Sequence, residues 1–449
     1  MRPCCQEILK MGKPPSYEHD VQTLWRPDIL ETIKEAVDGL SDELRELSLK
    51  IHDHPEIMFQ EKFAHDTLTA FMEKHGFEVT RHYLGLETAW RASFTHSKGY
   101  GRVIGVNSEM DALPGIGHAC GHNLIAVAGV GTAIAIKVAL KKYNIPGTVV
   151  LLGTPAEEGG NGKGILIEKG GYDDMHACIM CHPSVGPKNS TVLGTTLAMT
   201  SINVEYSGHT AHAAAAPWEG RNALDAAFLA YSSVSMLRQQ IKPTHRVHGV
   251  VYGDNWAANI IPDKSRMRWY IRAPTWKEVE ELRGRVLKCF EAAAKASACE
   301  VTLELGDIHY ELRQNPILGE NYVTAAGEGL SMEIGTVGEP RASTDFGNVT
   351  YFIPALHPGY GIPTVPDGGN HTPAFTKAAA SVEAHKVTMS VTKALAHTGV
   401  RVLDDDEFYK EVCNTPSTPL RDTEDGYRSR IALLPVNELP GSGCVTSAS

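Results

Sequence analysis

The chain has 449 residues, 42% hydrophobic and 21% charged, which is ordinary for a globular protein and longer than the roughly 250–300 residues at which a single core stops growing. Acidic residues outnumber basic ones by 53 to 42, and the net charge of -11 argues against a nucleic-acid partner and against an anionic membrane surface. Met1 to Lys10 lacks the basic-then-apolar pattern of a secretory signal, no apolar run is expected to span a bilayer, and nine irregularly spaced cysteines point to reduced thiols in a cytoplasmic protein.

Residues 1–22, with Pro3, Gly12, Pro14 and Pro15, read as a disordered lead-in carrying Cys4 and Cys5. Apolar residues at Ile29, Ile33, Leu40, Leu44, Leu47 and Ile51 then predict an amphipathic helix starting after Pro27, and a second helix is expected over 64–75. Short apolar runs at 102–106, 147–153 and 177–181 read as buried parallel strands, with an Ala/Val-rich helix over 124–143 between the first two. The first α/β domain part therefore spans 23–199.

From about 200 the texture changes. Strand-like 200–207, helical 222–238, strand-like 248–252 and 265–273, helical 278–298 and a strand at 300–305 make the split βαβ order of a small α+β, ferredoxin-like module. It reads as an insertion over 200–311, because α/β texture resumes over 312–403. Residues 404–449, acidic and then Pro/Ser/Gly-rich, read as a loosely attached tail.

Four polar clusters fall at the ends of predicted strands, where open α/β sheets place their ligands. They are Asp111 with His118 to His122, Glu157-Glu158, His182-Pro183, and His371-Thr372-Pro373. Cys120 and His122, separated by a glycine that permits a tight turn, can face one ion; a buried thiol beside a surface imidazole is the alternative. His118 beside them reads as a loop or supporting residue. Adjacent glutamates after an apolar strand repel unless a positive charge lies near, and a metal supplies one; one carboxylate then binds the ion while its neighbour takes a proton from water. Cys120, His122, Glu158, His182 and His371 exceed the four ligands of one tetrahedral zinc, so two divalent ions bridged by the Cys120 thiolate are expected, zinc first, with manganese or cobalt as the alternatives. Cys178-Ile-Met-Cys181-His182 also fits a haem-attachment pattern, but both cysteines lie in a buried apolar run and read as core residues.

At these residues the sequence resembles the aminoacylase/carboxypeptidase family of co-catalytic zinc metallopeptidases, in its amidohydrolase branch of auxin-conjugate, hippurate and aminobenzoyl-glutamate hydrolases. His52-Asp53-His54-Pro55-Glu56 with Glu61, Met110 to Pro114, His118 to His122, Glu157-Glu158, His182 and His371 to Phe375 carry the resemblance, over about 30–400. The wording of 111–123 and of Ser343-Thr344-Asp345 is closest to the β-alanyl dipeptidase-like group. Glu109 stands where the wider family has a metal-binding histidine.

The resemblance implies a zinc-peptidase-like α/β catalytic domain with an inserted lid through which two copies dimerise. It implies Glu157 as general base and Glu158 as metal ligand, with Asp111 supporting the ligands. In the lid, His212 of Gly208 to Ala214 would help hold the scissile carbonyl, and Asn259 of Asn259 to Asp263 would contact substrate. The expected activity is hydrolysis of an amide in a small N-acyl amino acid or dipeptide, with metal-bound water as nucleophile. The alternatives are a non-catalytic ligand-binding member of the fold and an amidohydrolase dedicated to a specialised-metabolism intermediate.

Overall fold

The computed structural model describes residues 23–97, 101–336, 338 and 342–415. The expected lead-in, with Cys4 and Cys5, lies outside them. Helix α1 (Pro27–His52) starts at a proline, whose fixed φ suits a first helical turn, and buries Ile29, Ile33, Val37, Leu44, Leu47 and Ile51 on one face. After it come α2 (Lys62–Lys74), β1 (Glu78–Arg81), β2 (Trp90–His96), β3 (Val103–Glu109), α3 (His122–Tyr143), β4 (Gly147–Thr154), α4 (Gly162–Glu168) and β5 (Ala177–Ile179). The chain continues through β6 (His182–Val185), β7 (Ser190–Val192), β8 (Ala198–Ser207), α5 (Ala223–Leu237), β9 (Arg246–Tyr252), β10 (Lys264–Ala273), α6 (Trp276–Ser297) and β11 (Glu300–His309). It closes with α7 (Pro316–Thr324), β12 (Glu333–Ile334), α8 (Phe346–Phe352), β13 (Ala355–Leu356), β14 (Gly359–Ile362), α9 (Pro373–Ala379), α10 (Val382–Asp404) and α11 (Asp406–Asn414).

Among the described residues these strands form three sheets, and the fold is mixed α/β. The largest has the order β1-β2-β4-β3-β5-β13, parallel through β4, β3, β5 and β13, with β1 and β2 added antiparallel at one edge. Its central strand β4 is buried on both faces. Val149 and Leu151 join the core made with α1, α3 and α10, whereas Val150 and Leu152 join a second cluster with Leu166 of α4 and with Phe346 and Val349 of α8. That two-sided burial explains why the parallel strands read as unbroken apolar runs. A small sheet, β12-β7-β14-β6, flanks it.

The third sheet, β11-β8-β10-β9, is antiparallel throughout and carries α5 and α6. Ala226, Ala230, Val286 and Phe290 from the helices pack on Ile202, Val204, Trp269 and Ile271 in a hydrophobic cluster of its own. This is the ferredoxin-like order, and it lies in the chain between β5 and β13 of the large sheet.

Three expectations change. The helix α3 is long and apolar enough for a bilayer span, with a mean hydropathy of 1.9 over its best window, although no such run was expected. That window is 89% buried within the fold, between β3 and the helices α1 and α10, so its apolar surface is already covered. The third apolar run leaves the large sheet at Ile179 rather than Cys181, because the chain crosses to the small sheet and His182 opens β6 instead of ending β5. Finally, residues 406–414 of the expected tail form α11, whose Phe408 and Val412 enter the core while Asp405 caps its first turn. Residues 416–449 lie outside the description.

Close contact between α3 and β3 depends on Gly129. A Cβ there would stand 2.3 Å from Ser108 Oγ and 2.9 Å from the Asn107 carbonyl oxygen. Replacing Gly129 with valine should therefore destabilise the protein by about 1–3 kcal/mol through overpacking, read as an earlier denaturant-unfolding midpoint.

Candidate metal centre

Residues that follow β3, β4 and β5 in the chain converge on one cluster. Glu109 ends β3, Cys120 follows in the loop, Gly121 in a left-handed conformation (φ 81°) turns the chain into α3, and His122 is the first residue of that helix. Beyond β4, Glu157 and Glu158 occupy the loop before α4, directly after Ala156, which holds φ 58° without being glycine. His371, with φ 65°, lies in the Gly-rich loop before α9, tied to the first loop by its N–H donating to the Ala119 carbonyl at 2.8 Å.

All five expected ligands meet. Donor atoms of Cys120, His122 and His182 lie within 4.8 Å of one another, as do those of Cys120, Glu158 and His371, so two triads share the Cys120 sulfur. Cys120 Sγ is 3.4 Å from His182 Nε2, and His371 Nε2 is 3.3 Å from Glu158 Oε1. The imidazoles are aimed by their other nitrogens. His122 Nδ1 pairs with Asp111 Oδ1 at 3.1 Å, and His182 Nδ1 with the Pro183 carbonyl at 2.8 Å, which leaves both Nε2 lone pairs for the centre. Asp111 also accepts the Glu158 backbone N–H at 2.9 Å, so one carboxylate positions a residue of each triad.

The centre is short of positive charge. His122 Nε2 and Glu109 Oε2 are buried without a hydrogen-bond partner, and Glu158 Oε1 has only the long contact to His371. Burial, and then the Glu158 charge, push the Cys120 thiol far up, so that it stays protonated until a cation arrives. Burial together with the charges of Glu109 and Glu158 likewise raises Glu157. Its Oε2 lies 3.8 Å from His122 Nε2, and with Glu109 and His122 it makes a third group whose donor atoms lie within 4.8 Å of one another, outside the two that share Cys120. A thiol, imidazoles and a carboxylate with orphaned donor atoms suit two divalent ions, and the soft sulfur suits zinc.

Glu109, the residue in place of a histidine, is paired through one oxygen, while its Oε2 is buried without a hydrogen-bond partner 3.4 Å from His122 Nε2. Lys163, fully buried in α4, donates its Nζ to Glu109 Oε1 at 2.7 Å and to Asp345 Oδ1 at 2.5 Å, and the Lys163 N–H reaches Asp345 Oδ2 at 3.0 Å. Against burial, which would raise it, the Lys163 charge holds Glu109 below the usual carboxylate range. Sequence reasoning does not single out Lys163, and it quotes Asp345 within the resemblance without giving it a role. It also misses His357, whose ring stacks on His182 with centroids 5.9 Å apart, and Arg272 at the end of β10, whose charge acts on Glu157 and His371.

The remaining expected residues fall elsewhere. His118 is buried and stacks on His52, centroids 6.3 Å apart, outside both triads. His212 and Asn259 are exposed neighbours in the β8–β11 unit: His212 pairs with Ile260, and the Ala213 N–H donates to the Asn259 carbonyl at 3.0 Å. No hydrogen bond or ion pair among the described residues links either to the centre. Cys178 and Cys181 are fully buried, with the Cys178 thiol donating to Asn107, as expected of core residues.

A model of peptidase family M20/M25/M40 matches residues 105–397. The Xaa-Arg dipeptidase of Mus musculus is 42% identical over 82% of this chain and 88% of its own length. A p-aminobenzoyl-glutamate hydrolase polypeptide of Escherichia coli is 33% identical over 62% of this chain and 60% of its own. Among solved structures, an aminobenzoyl-glutamate utilization protein from Klebsiella pneumoniae superposes with a TM-score of 0.65 at 17% identity, covering 82% of this chain and 98% of that one. A Bacillus subtilis dinuclear metal-binding peptidase does so with a TM-score of 0.61 at 18% identity, over 82% and 99%.

Removing the Lys163 charge while keeping its bulk should strand two buried carboxylates. Lys163→Met is expected to lose about 3–5 kcal/mol in denaturant unfolding, and adding Glu109→Gln and Asp345→Asn should recover part of it.

Proposed function

The chain belongs to peptidase family M20/M25/M40, and from that premise we propose that this hydrolase cleaves the amide bond of a dipeptide or a small N-acyl amino acid at a two-metal centre. The observation that carries the reading is the pair of triads sharing Cys120, with Glu157 outside both and grouped instead with Glu109 and His122. Cys120, His122 and His182 would hold one ion, and Cys120, Glu158 and His371 the other, with zinc favoured by the thiolate. Ions there supply Lewis acidity, which polarises an amide carbonyl and acidifies water to a pKa of about 7.

The chain's own residues do the rest. Glu157, whose proton affinity burial and neighbouring acids raise, takes the proton of the attacking water and returns it to the leaving nitrogen. Asp111 and the Pro183 carbonyl keep the two imidazoles in the tautomer that faces the centre. Lys163 holds Glu109 by Oε1 and leaves Oε2 facing His122 Nε2, where it could still meet an ion. The similarity to Xaa-Arg dipeptidases supports a dipeptide substrate over a free acyl amino acid. His212 and Asn259 we assign to substrate contact, brought to the centre by movement of the β8–β11 unit or by a second copy. A homodimer through that unit is supported by the apolar side chains exposed on α5 and edge strand β9, namely Phe228, Leu229, Met236, Val250 and Tyr252. A site built on a free thiol at Cys120 favours a reducing compartment, which supports a cytoplasmic location.

Amine release from Xaa-Arg dipeptides, β-alanyl dipeptides, aminobenzoyl-glutamate and N-acyl amino acids, by zinc- or manganese-loaded protein with a chelated control, tests the proposal. Metal-dependent cleavage is expected. Bound metal without cleavage of any member would favour a narrower substrate of specialised metabolism or a binding protein. Glu157→Gln should keep its metal and lose turnover by about 10²–10⁴, whereas Cys120→Ser should lose metal as well. Full activity in both would remove the assignment.

A further inference from the structure

Two residues with left-handed backbones flank the centre from different parts of the chain. Ala156, φ 58°, immediately precedes Glu157, and Phe59, φ 59°, lies in the loop before α2. Neither is a glycine, so each conformation is strained by the Cβ and persists only where something holds it. One atom holds both. Glu61 Oε1 accepts the Phe59 N–H at 3.0 Å and the Ala156 N–H at 2.9 Å, while Oε2 accepts the Thr88 hydroxyl at 2.7 Å.

We propose that Glu61 is a positioning residue that clamps the loop bearing Glu157 and Glu158 to the loop bearing Met58 and Phe59, and so sets both the base and an apolar wall of the substrate site. The proposal rests on the hydrolytic reading above for its effect on turnover, though not for the clamp itself. Phe59 leans on the catalytic loop: a Cβ on Gly160 would stand 2.4 Å from its Cε2, and one on Gly159 would stand 3.4 Å from the Met58 sulfur. Met58 and Phe59 are nevertheless 40% and 38% exposed, so two large apolar side chains face solvent beside the Glu158-Gly159-Gly160 turn. Apolar surface left open at the rim of a polar centre is suited to the non-reacting side chain or acyl group of a small substrate.

The carboxyl is an expensive way to hold two loops. It is fully buried, and burial pushes it up to about 7 despite the hydrogen bonds that pull it down. A group kept at that cost makes bonds that an apolar filler would not replace. Glutamine would replace them: its carbonyl oxygen accepts both backbone N–H groups, and its amide donates to the Thr88 hydroxyl, which can turn to accept.

Glu61→Ala, Glu61→Gln and Thr88→Val can be compared by steady-state kinetics, metal content, and amide hydrogen exchange at residues 59 and 156 with β11 as an internal reference. The expected result for Glu61→Ala is wild-type metal content, a fall in kcat of about 10²-fold from misplacing the base, and faster exchange at 59 and 156 but not in β11. Glu61→Gln should restore both kcat and protection. Thr88→Val, which removes only the Oε2 partner, should move in the same direction as Glu61→Ala by less, and it stands in if Glu61→Ala does not fold. Wild-type kcat and exchange in Glu61→Ala would overturn the clamp, as would a glutamine variant as impaired as the alanine one. If the wild-type protein cleaves nothing in the panel, the hydrolytic reading falls, and the exchange measurements still decide the clamp.

Discussion

Burying negative charge is the constraint around which this molecule is arranged. Glu109, Asp111, Glu157 and Asp345 are all buried at the carboxyl ends of the parallel strands, with Glu158 beside them. Taking carboxylates out of water costs several kcal/mol each unless they are paired and hydrogen-bonded. The chain solves this unevenly. Lys163 answers Glu109 and Asp345 together, His122 and the Glu158 N–H answer Asp111, and His371 answers Glu158. Glu157 is left with a distant imidazole and a raised affinity for protons. The closely paired acids shape the site, and Glu157, 3.8 Å from the imidazole that serves Asp111, keeps its raised affinity for protons.

The same accounting separates the two kinds of cation in the site. Lys163 is covalently part of the chain and permanently present, so the acids it serves are neutralised in every state of the protein. The thiol of Cys120 and the orphaned nitrogen of His122 are provided for only when an ion binds. Metal binding and ordering of the centre would therefore be linked, whereas Asp345 and Oε1 of Glu109 have their cation in Lys163 already.

Much of this could be read from the sequence because parallel strands buried on both faces leave unbroken apolar runs, and ligands cluster where those runs end. The periodicity located α1, α3, β4 and the elements from β8 to β11 close to their observed limits, and the polar clusters named all five members of the two triads. Short strands such as β6, β7, β12, β13 and β14 escaped because two to four residues carry no period, and their pairing partners are remote in the chain. Lys163, and the role of Glu61, escaped for a different reason. Their meaning lies in what they touch, Asp345 and Ala156, and neither distance can be counted along the sequence. The strained conformation at Ala156 was equally invisible, since alanine does not advertise a positive φ.

The position of the ferredoxin-like unit within the chain bears on how the molecule assembles. Strand β13 must find β5 across the whole length of that insertion, a pairing that a disordered intervening segment would make slow. The insertion, however, begins in β8 and ends in β11, and those strands are partners, with Met199 opposite His309. Once the unit has condensed around its own cluster, its entry and exit lie side by side, and the long connection behaves as a short one. On a ribosome, where the segment emerges before β13, early folding of this unit would bring the two halves of the large sheet together in time for His371 to arrive last at a pocket already built.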